Sequence, residues 1–225
     1  MEPIQVIDIR QHILIDNQNL ADEIRNQLKK EELFMLNLMA SPGAGKTSII
    51  LETIRRMKSE YRMGIVEGDI ESIVDAEKID AEGIPVVQIH TGGACHLDAP
   101  MIKKALESMD AAAFDLLIIE NIGNLVCPAE FDTGAALKVM ILSVPEGDDK
   151  TLKYPLMFSV CDALIINKID YLPDPGFDMN VLEKRVRVLN PNIKIFPVSC
   201  RLGQGLDSWC NWLRAEIEHY RNSDE

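Results

Sequence analysis

The 225-residue sequence has few cysteines, few aromatic residues and no long apolar run. Its five cysteines are odd in number and include no Cys-x-x-Cys pair, which disfavours a disulfide framework and favours a reducing compartment. No apolar run approaches the roughly 18 residues of a membrane-spanning helix. The mixed polar sequence that follows Met1 shows no signal-peptide pattern. We therefore expect a cytoplasmic protein with no membrane partner.

Basic residues are scarce relative to acidic ones. The sequence has 23 Lys and Arg against 36 Asp and Glu, which gives a formal net charge of −13 at pH 7. This excess of negative charge disfavours generic binding to nucleic acid or to an anionic membrane, because both need basic surface patches. A hydrophobic content of 47% and a charged content of 26% are ordinary for a globular domain with a sizeable core.

Short apolar runs alternate with amphipathic stretches along most of the chain. We predict strands at about 33–39, 63–67, 85–89, 114–120, 139–144, 163–167 and 193–198. The helices predicted among them include one that ends at about Glu82, one capped by Asp98 that ends at about Ser108, and two more near 178–189 and 206–220. Strands that alternate with helices indicate an α/β fold, with a mostly parallel sheet covered by helices on both faces.

The first 32 residues precede this alternation. We expect a short strand or arm over 1–15 and a helix over about 18–31, capped by Asp16 or Asn17. The chain is therefore predicted to comprise an N-terminal arm and helix, 1–32, and a single α/β domain, 33–225.

The apolar run that starts at Leu33 leads into the loop SPGAGKTS and then into a helical pattern. The sequence fits the phosphate-loop pattern G-x-x-x-x-G-K-S/T, except that Ala40 replaces the first glycine. Glycines let backbone N–H groups close round phosphate oxygens, and a helix N-terminus adds partial positive charge. We expect Lys46 to reach the β- and γ-phosphates and Thr47 to ligate Mg²⁺. The residues predicted to bind phosphate are Gly43, Ala44, Gly45, Lys46, Thr47 and Ser48.

A second motif, Asn167-Lys168-Ile169-Asp170, follows another apolar run and matches the N-K-x-D pattern of guanine nucleotide binders. A carboxylate at Asp170 can accept hydrogen bonds from guanine N1–H and the 2-amino group, whereas adenine offers neither donor. We expect Asn167 to bond the base at N7 and Lys168 to cover its plane. A version of the S-A-K segment that backs the base follows the last predicted strand and consists of Ser199, Cys200 and Arg201.

Hydrolysis of a nucleotide also needs residues that hold metal and water. Asp69 and Glu120 each follow or end a predicted strand, so they are expected at the sheet edge that carries the phosphate loop. Glu120-x-x-Gly123 resembles an element that senses the γ-phosphate. We expect Glu120 to orient a water beside Mg²⁺ and Gly123 to turn its N–H to the γ-phosphate. Asp69 is a candidate for the Mg²⁺ shell, with helix capping as the alternative. The predicted catalytic residues are Lys46, Glu120, Asp69 and Gly123, and the predicted Mg²⁺ ligands are Thr47, Asp69 and Glu120.

Cys95 and His96 stand side by side after two glycines. A thiolate and an imidazole suit Zn²⁺ or Ni²⁺, but two ligands do not close a site. A two-fold symmetric dimer would double them, and Cys127, four residues beyond Gly123, is a further candidate ligand. The spacing alone favours a free thiol beside a surface histidine.

Six segments together resemble the HypB family, the nickel-incorporation GTPases of nickel–iron hydrogenase maturation. They lie between Leu33 and Trp212 and read SPGAGKTS, EGDIESIVDAEKI, QIHTGGACHLDAPMI, IIENIGNLVCPAEFDTG, SVPEGDDKTLKYPLMF and NKID. The resemblance implies a SIMIBI-class P-loop GTPase domain that dimerises with GTP and holds a metal at the dimer interface. It aligns the Cys95–His96 pair with the family's metal ligands and Cys127 with a cysteine linked to nickel, so it favours a metal site over a free thiol.

The same resemblance implies a metallochaperone that uses GTP, Mg²⁺ and Ni²⁺ or Zn²⁺. The implied partners are a second copy of the chain, a HypA-type nickel chaperone and the hydrogenase large subunit. Some family members carry an N-terminal cysteine motif or a histidine-rich stretch. In this sequence the first cysteine is Cys95 and His12 is the only histidine before residue 90, so we expect neither high-affinity nickel binding nor nickel storage by such segments.

Three alternatives stay open at the level of sequence. A urease-type nickel GTPase shares the fold, but its ligand motif is Cys-Pro-His, whereas this chain has Cys95 and His96 adjacent. A P-loop kinase for a small molecule is disfavoured by the N-K-x-D motif and by the lack of an arginine-rich lid. A nucleotide-binding module without activity is the third alternative.

Overall fold

The structure is a computed structural model, and it describes residues 9–69 and 73–223. The strands are β1 (Phe34–Ala40), β2 (Met63–Asp69), β3 (Val86–His90), β4 (Leu116–Glu120), β5 (Leu137–Ser143), β6 (Ala163–Asn167) and β7 (Lys194–Pro197). The helices are α1 (Ile9–Lys30), α2 (Lys46–Met57), α3 (Val74–Asp80), α4 (Ala99–Ser108), α5 (Cys127–Glu130), α6 (Lys150–Lys153), α7 (Pro155–Val160), α8 (Met179–Leu189) and α9 (Leu206–Asn222).

All the strands belong to one parallel sheet with the order β3-β2-β4-β1-β5-β6-β7. Helices α2 and α9 cover one face, where the buried residues include Leu36, Ile50 and Trp209. The other face packs against α1 and α4 on one side and α7 and α8 on the other. The predicted α/β fold with helices on both faces is confirmed. Every predicted strand is present, with ends within two residues of the prediction.

The main error of the sequence analysis is the start of the N-terminal helix. Helix α1 begins at Ile9, so the arm predicted over 1–15 is wrong from residue 9 onward, and residues 1–8 lie outside the described part of the chain. Asp16 and Asn17 lie inside the helix and do not cap it. The short helices α5, α6 and α7 were also not predicted.

Asn17 is buried in the middle of α1 because its side chain has partners on two distant segments. Its Nδ2 donates to the Asp132 carbonyl and its Oδ1 accepts from the Ala99 N–H, both at 2.9 Å. An asparagine inside a helix normally competes with the helical backbone for hydrogen bonds. Here the long-range bonds occupy the amide, and they fix α1 to the N-terminus of α4.

The parallel sheet determines where a ligand can bind. Asp69, Glu120 and Asn167 are the last residues of β2, β4 and β6, and the phosphate loop follows β1. The carboxyl ends of parallel strands share one edge, where such folds bind ligands. The candidate residues therefore gather at this edge. Within residues 9–69 and 73–223, no helix combines the length and the hydropathy needed to cross a membrane.

The contact between α2 and α9 provides a test of the packing. Trp209 Nε1 donates to Thr53 Oγ1 at 2.9 Å, and both side chains are 1% exposed. We expect Thr53→Val to lower the free energy of unfolding by about 1–3 kcal/mol, because it leaves the indole N–H buried without an acceptor. Urea unfolding measures this change.

Thr133→Val is the matched control for this substitution. Thr133 is also fully buried, but its hydroxyl has no hydrogen-bond partner among the described residues. Its replacement by valine should therefore leave stability unchanged or raise it. Equal losses of stability in the two variants would contradict the importance of the Thr53–Trp209 bond.

Candidate functional site

The phosphate loop joins the buried strand β1 to the N-terminus of α2 at Lys46. Gly43 and Gly45 have φ angles of 76° and 103°, in the left-handed region that favours glycine. A Cβ on Gly45 would also overlap the amide nitrogen of Asn167. Ala40 fits where the usual pattern has glycine because it is the last residue of the strand. The loop therefore has the backbone freedom that phosphate binding requires.

Residues of the N-K-x-D motif contact the phosphate loop directly. Asn167 Nδ2 donates to the Ala44 carbonyl at 3.0 Å, and Lys168 Nζ donates to the Gly43 carbonyl at 2.7 Å. Lys168 itself has a φ of 62°, which turns the chain sharply after β6. The two motifs thus form one structural unit rather than two unrelated loops.

Asp170 is the buried carboxylate of this unit. Ser199 Oγ donates to Asp170 Oδ1 at 2.6 Å, while Asp170 Oδ2 is buried and accepts no hydrogen bond from the described residues. The exposed guanidinium of Arg201 approaches Oδ2 only to 3.7 Å. A buried acceptor without a donor is costly, so a ligand with adjacent N–H groups fits this position.

The base cavity beside Asp170 has a volume of about 180 Å³. The predicted residues that line it are Gly45, Ser48, Asn167, Lys168, Asp170, Cys200 and Arg201. Burial raises the pKa of the Cys200 thiol to about 12, so it stays protonated at neutral pH. Tyr171, which the sequence analysis missed, also lines this cavity.

A second cavity of about 300 Å³, the phosphate cavity, brings together Lys46, Asp69, Glu120 and Gly123. Thr47 Oγ1 donates to Glu120 Oε1 at 2.8 Å, whereas Glu120 Oε2 is buried without a hydrogen-bond partner in the described chain. Burial raises the pKa of Glu120 to about 7, against the opposing effects of Lys46 and Thr47. Oxygen donors of this kind are the ligands that Mg²⁺ prefers, so the residues fit a Mg²⁺–triphosphate.

Asp69 occupies the wall of the phosphate cavity rather than a helix cap. It ends β2, and the N-cap residue of α3 is Ile73. The capping alternative for Asp69 is therefore wrong for α3. Asp75, in the first turn of α3, lines the same cavity and was not predicted.

Glu67 is a second acidic residue of this cavity that the sequence analysis missed. It is 2% exposed and pairs in register with Glu120 on the neighbouring parallel strand, so both side chains leave the same face of the sheet. Burial, together with the Glu120 and Asp69 carboxylates, raises the pKa of Glu67 to about 8. The available signal was its position two residues before Asp69, because residues two apart on a strand share a face.

Cys95, His96 and Cys127 come together within one chain. The two Sγ atoms are 2.8 Å apart, and Cys95 Sγ lies 3.7 Å from His96 Nδ1. One ligand atom from each residue lies within 4.8 Å of the others. The His96 ring stacks on Phe131, with centroids 3.9 Å apart. A single chain therefore brings three candidate metal ligands together, where the sequence had suggested the Cys95–His96 pair with Cys127 as a further candidate.

The chemistry of this thiol–imidazole cluster fits a borderline metal ion. Burial lowers the pKa of His96, which favours the neutral imidazole that metals bind. Burial and the neighbouring Cys95 raise the pKa of Cys127, so a metal must displace a proton from that thiol. Two sulfurs and one nitrogen suit Ni²⁺ or Zn²⁺ far better than Mg²⁺.

Comparison with known proteins agrees with this geometry. A family model described as the CobW/HypB/UreG nucleotide-binding domain matches residues 34–197. The hydrogenase maturation factor HypB of Azotobacter vinelandii is 45% identical over 212 residues, which are 94% of this chain and 70% of that protein.

Two solved structures of HypB superpose on the chain with a TM-score of 0.84. The HypB of Archaeoglobus fulgidus is 37% identical and aligns over 90% of this chain and 99% of its own. The HypB of Helicobacter pylori, in complex with nickel, is 39% identical and aligns over 93% of this chain and 99% of its own. The chain therefore belongs to the HypB hydrogenase maturation factors, within the CobW/HypB/UreG family of nucleotide-binding domains.

Proposed function

We propose that this chain is a GTP-hydrolysing metallochaperone that delivers nickel during maturation of nickel–iron hydrogenases. The observation that supports the proposal is the shared sheet edge, where the base cavity beside Asp170, the phosphate cavity and a cluster of two thiols and an imidazole lie. The nickel complex of the Helicobacter pylori relative supports nickel as the cargo. Residues 33–225 form the GTPase domain in this proposal, with 1–32 as an N-terminal arm and helix.

The nucleotide is held at both ends. Asp170 accepts from the guanine edge, while Asn167 and Lys168 contact the base and fix the phosphate loop. Lys46 and the N-terminus of α2 bind the triphosphate. When bound, Mg²⁺ neutralises charge on the phosphate oxygens. The residues that would hold it are Thr47, Asp69 and Glu120.

Hydrolysis depends on the residues that face the γ-phosphate position. Glu120 lines the phosphate cavity, and its buried Oε2, which has no hydrogen-bond partner in the described chain, can orient water while Thr47 fixes Oε1. Gly123 lies against the phosphate loop, since a Cβ there would be 2.9 Å from Pro42 N. Its N–H can therefore approach the γ-phosphate without steric hindrance.

Nickel is the cargo of the thiol–imidazole cluster. We propose that GTP favours a two-fold dimer at this surface and that hydrolysis changes the ligand set, so the ion passes to the next protein. The reducing cytoplasm keeps both thiols available for the metal. A HypA-type chaperone would supply the nickel, and the hydrogenase large subunit would receive it.

Guanine selectivity is the first test of this function. Asp170→Asn should weaken GTP binding by roughly 2–4 kcal/mol, because an amide donor then faces the guanine donors. The same change should improve binding of xanthosine triphosphate, which presents a carbonyl where guanine has its 2-amino group. Competitive titration of GTP, ATP and xanthosine triphosphate measures both effects.

Asp174→Asn is the control for this substitution. Asp174 accepts from Gly176 N within its own loop and does not line the base cavity, so the variant should bind GTP normally. Equal affinity of the unmutated chain for GTP and ATP would contradict the proposed GTPase.

The phosphate cavity provides the second test. Lys46→Ala should abolish tight triphosphate binding, because it removes the charge that faces the phosphates. Glu120→Gln should keep GTP binding and slow single-turnover hydrolysis by roughly 10²–10³-fold, the scale of losing one transition-state contact. Lys104→Ala, on the exposed surface of α4, is the charge-matched control and should change neither quantity. A normal rate of GTP hydrolysis in the Glu120→Gln variant would make Asp69 the leading candidate for the catalytic carboxylate instead.

The metal cluster provides the third test. Cys95→Ala should remove nickel binding and nickel-dependent dimerisation but leave GTP binding intact. Sedimentation with a nickel titration, in GDP and in a non-hydrolysable GTP analogue, measures this. Nickel affinity of the unmutated chain should fall as the pH is lowered, because the cysteines must lose protons to bind the ion.

The control for this test is Cys161→Ala, which removes a thiol buried in the core away from the cluster. This variant should bind nickel with normal stoichiometry. One ion per monomer with equal affinity in both nucleotide states would refute the coupled dimer, even with GTP hydrolysis intact.

A further inference from the structure

We propose that Asn121 is a positioning residue that couples the phosphate cavity to the thiol–imidazole cluster. Its side chain would convey the nucleotide state sensed at Gly123 to the loop that carries Cys95 and His96. This inference rests on the proposed function, and it identifies the residue through which nucleotide state would regulate the metal site.

Asn121 joins the two segments by hydrogen bonds to their backbones. Its Oδ1 accepts from Leu97 N at 3.0 Å and from Ile122 N at 2.9 Å. Leu97 directly follows His96, and Ile122 directly precedes Gly123. Asn121 has no exposed surface. Its single amide oxygen therefore binds both the loop that carries Cys95 and His96 and the segment that contains Gly123.

The Asn121 amide nitrogen has a third partner. Nδ2 donates to Asn37 Oδ1 at 3.1 Å, on β1, the strand that leads into the phosphate loop. The Asn121 backbone N–H also donates to the Leu38 carbonyl at 3.0 Å. The side chain is therefore oriented by β1, the strand that leads into the phosphate loop.

Leu97 is held on its other side by β2. It is fully buried, and a Cβ on Gly68 would lie 2.8 Å from the Leu97 side chain. Gly68 directly precedes Asp69, a wall residue of the phosphate cavity. The residue after His96 thus packs between two segments that line the phosphate cavity. A shift of either segment changes the space available to Leu97, because buried side chains are packed closely and leave few voids around them.

A second asparagine forms a weaker link between the same segments. Asn124 Nδ2 donates to the Cys95 carbonyl at 3.2 Å, and Asn124 Oδ1 accepts from Val126 N at 2.9 Å. These bonds are exposed, so water competes with them. Asn121 makes the buried contacts and therefore carries the proposed coupling.

The proposal makes different predictions for two substitutions at residue 121. Asn121→Ala leaves the Leu97 and Ile122 N–H groups without their acceptor and breaks the link. Asn121→Asp keeps an acceptor oxygen for both N–H groups. Asn37 Nδ2 has no hydrogen-bond partner in the described chain, so rotation of the Asn37 amide by about 180° would let it donate to the other carboxylate oxygen. The aspartate variant should therefore keep most of the coupling.

The experiment measures nickel affinity in the presence of GDP and in the presence of a non-hydrolysable GTP analogue. The nickel–thiolate absorption band is the signal that reports binding. The unmutated chain should show a ratio of affinities in the usual allosteric range of roughly 5–150-fold. In Asn121→Ala the ratio should fall to about one while GTP affinity is unchanged. Asn121→Asp should retain a ratio close to that of the unmutated chain.

Asn17→Ala is the matched control, because Asn17 is a buried asparagine that also bridges two backbone groups but contacts neither the phosphate cavity nor the cluster. It should lower stability and leave the ratio intact. A full ratio in Asn121→Ala would overturn the role of Asn121 and leave the proposed function standing. A ratio of one in the unmutated chain would overturn the role of Asn121 together with the proposed coupling of nucleotide to nickel, while the proposed GTPase activity would still stand.

Hydrogen exchange of the Leu97 amide provides a test that needs no variant. Its protection in the unmutated chain should differ between the two nucleotide states, because the bond to Asn121 is the proposed link. Equal protection in both states, alongside a nucleotide-dependent nickel affinity, would overturn the role of Asn121.

Discussion

The candidate site depends on the close approach of the phosphate loop and the N-K-x-D loop at Gly45, where there is no room for a side chain. Gly45 has a φ of 103°, and a Cβ there would overlap the Asn167 amide. This approach allows Asn167 to bond the Ala44 carbonyl, although the two residues are 123 positions apart in the chain. The base cavity and the phosphate loop are therefore held in a fixed position relative to each other. Because the sheet is parallel, the same edge also carries the carboxylates of β2 and β4.

Local patterns were sufficient to predict the fold class and most elements. The buried runs of the parallel strands and the Asp98 cap of α4, which accepts from Met101 N, are encoded within short segments. The start of α1 was not predictable in this way. Asn17 has the chemistry of a helix cap, yet its partners are Asp132 and Ala99, which lie 115 and 82 residues away. Asparagine prefers the N-cap of a helix, but here its tertiary contacts outweigh that local preference.

Motifs in the sequence pointed to candidate site residues, but their arrangement in space was not predictable from those motifs. Cys95 and Cys127 are 32 residues apart, and only the fold brings their sulfurs to 2.8 Å. Glu67 was missed because its importance comes from the register of β2 with β4, which places it beside Glu120. The two buried carboxylates have raised pKa values, at about 8 and about 7, and a bound cation would favour their charged forms. The phosphate cavity is thus electrostatically suited to a metal-bound triphosphate.

The central claim is that the nucleotide sets the ligands of the nickel ion. Nickel K-edge X-ray absorption of the loaded chain, in GDP and in a non-hydrolysable GTP analogue, tests it directly. The account predicts sulfur from Cys95 and Cys127 and an imidazole nitrogen from His96 in one state, and a different ligand set in the other. A sulfur-free spectrum, or identical spectra in the two states, would contradict the account.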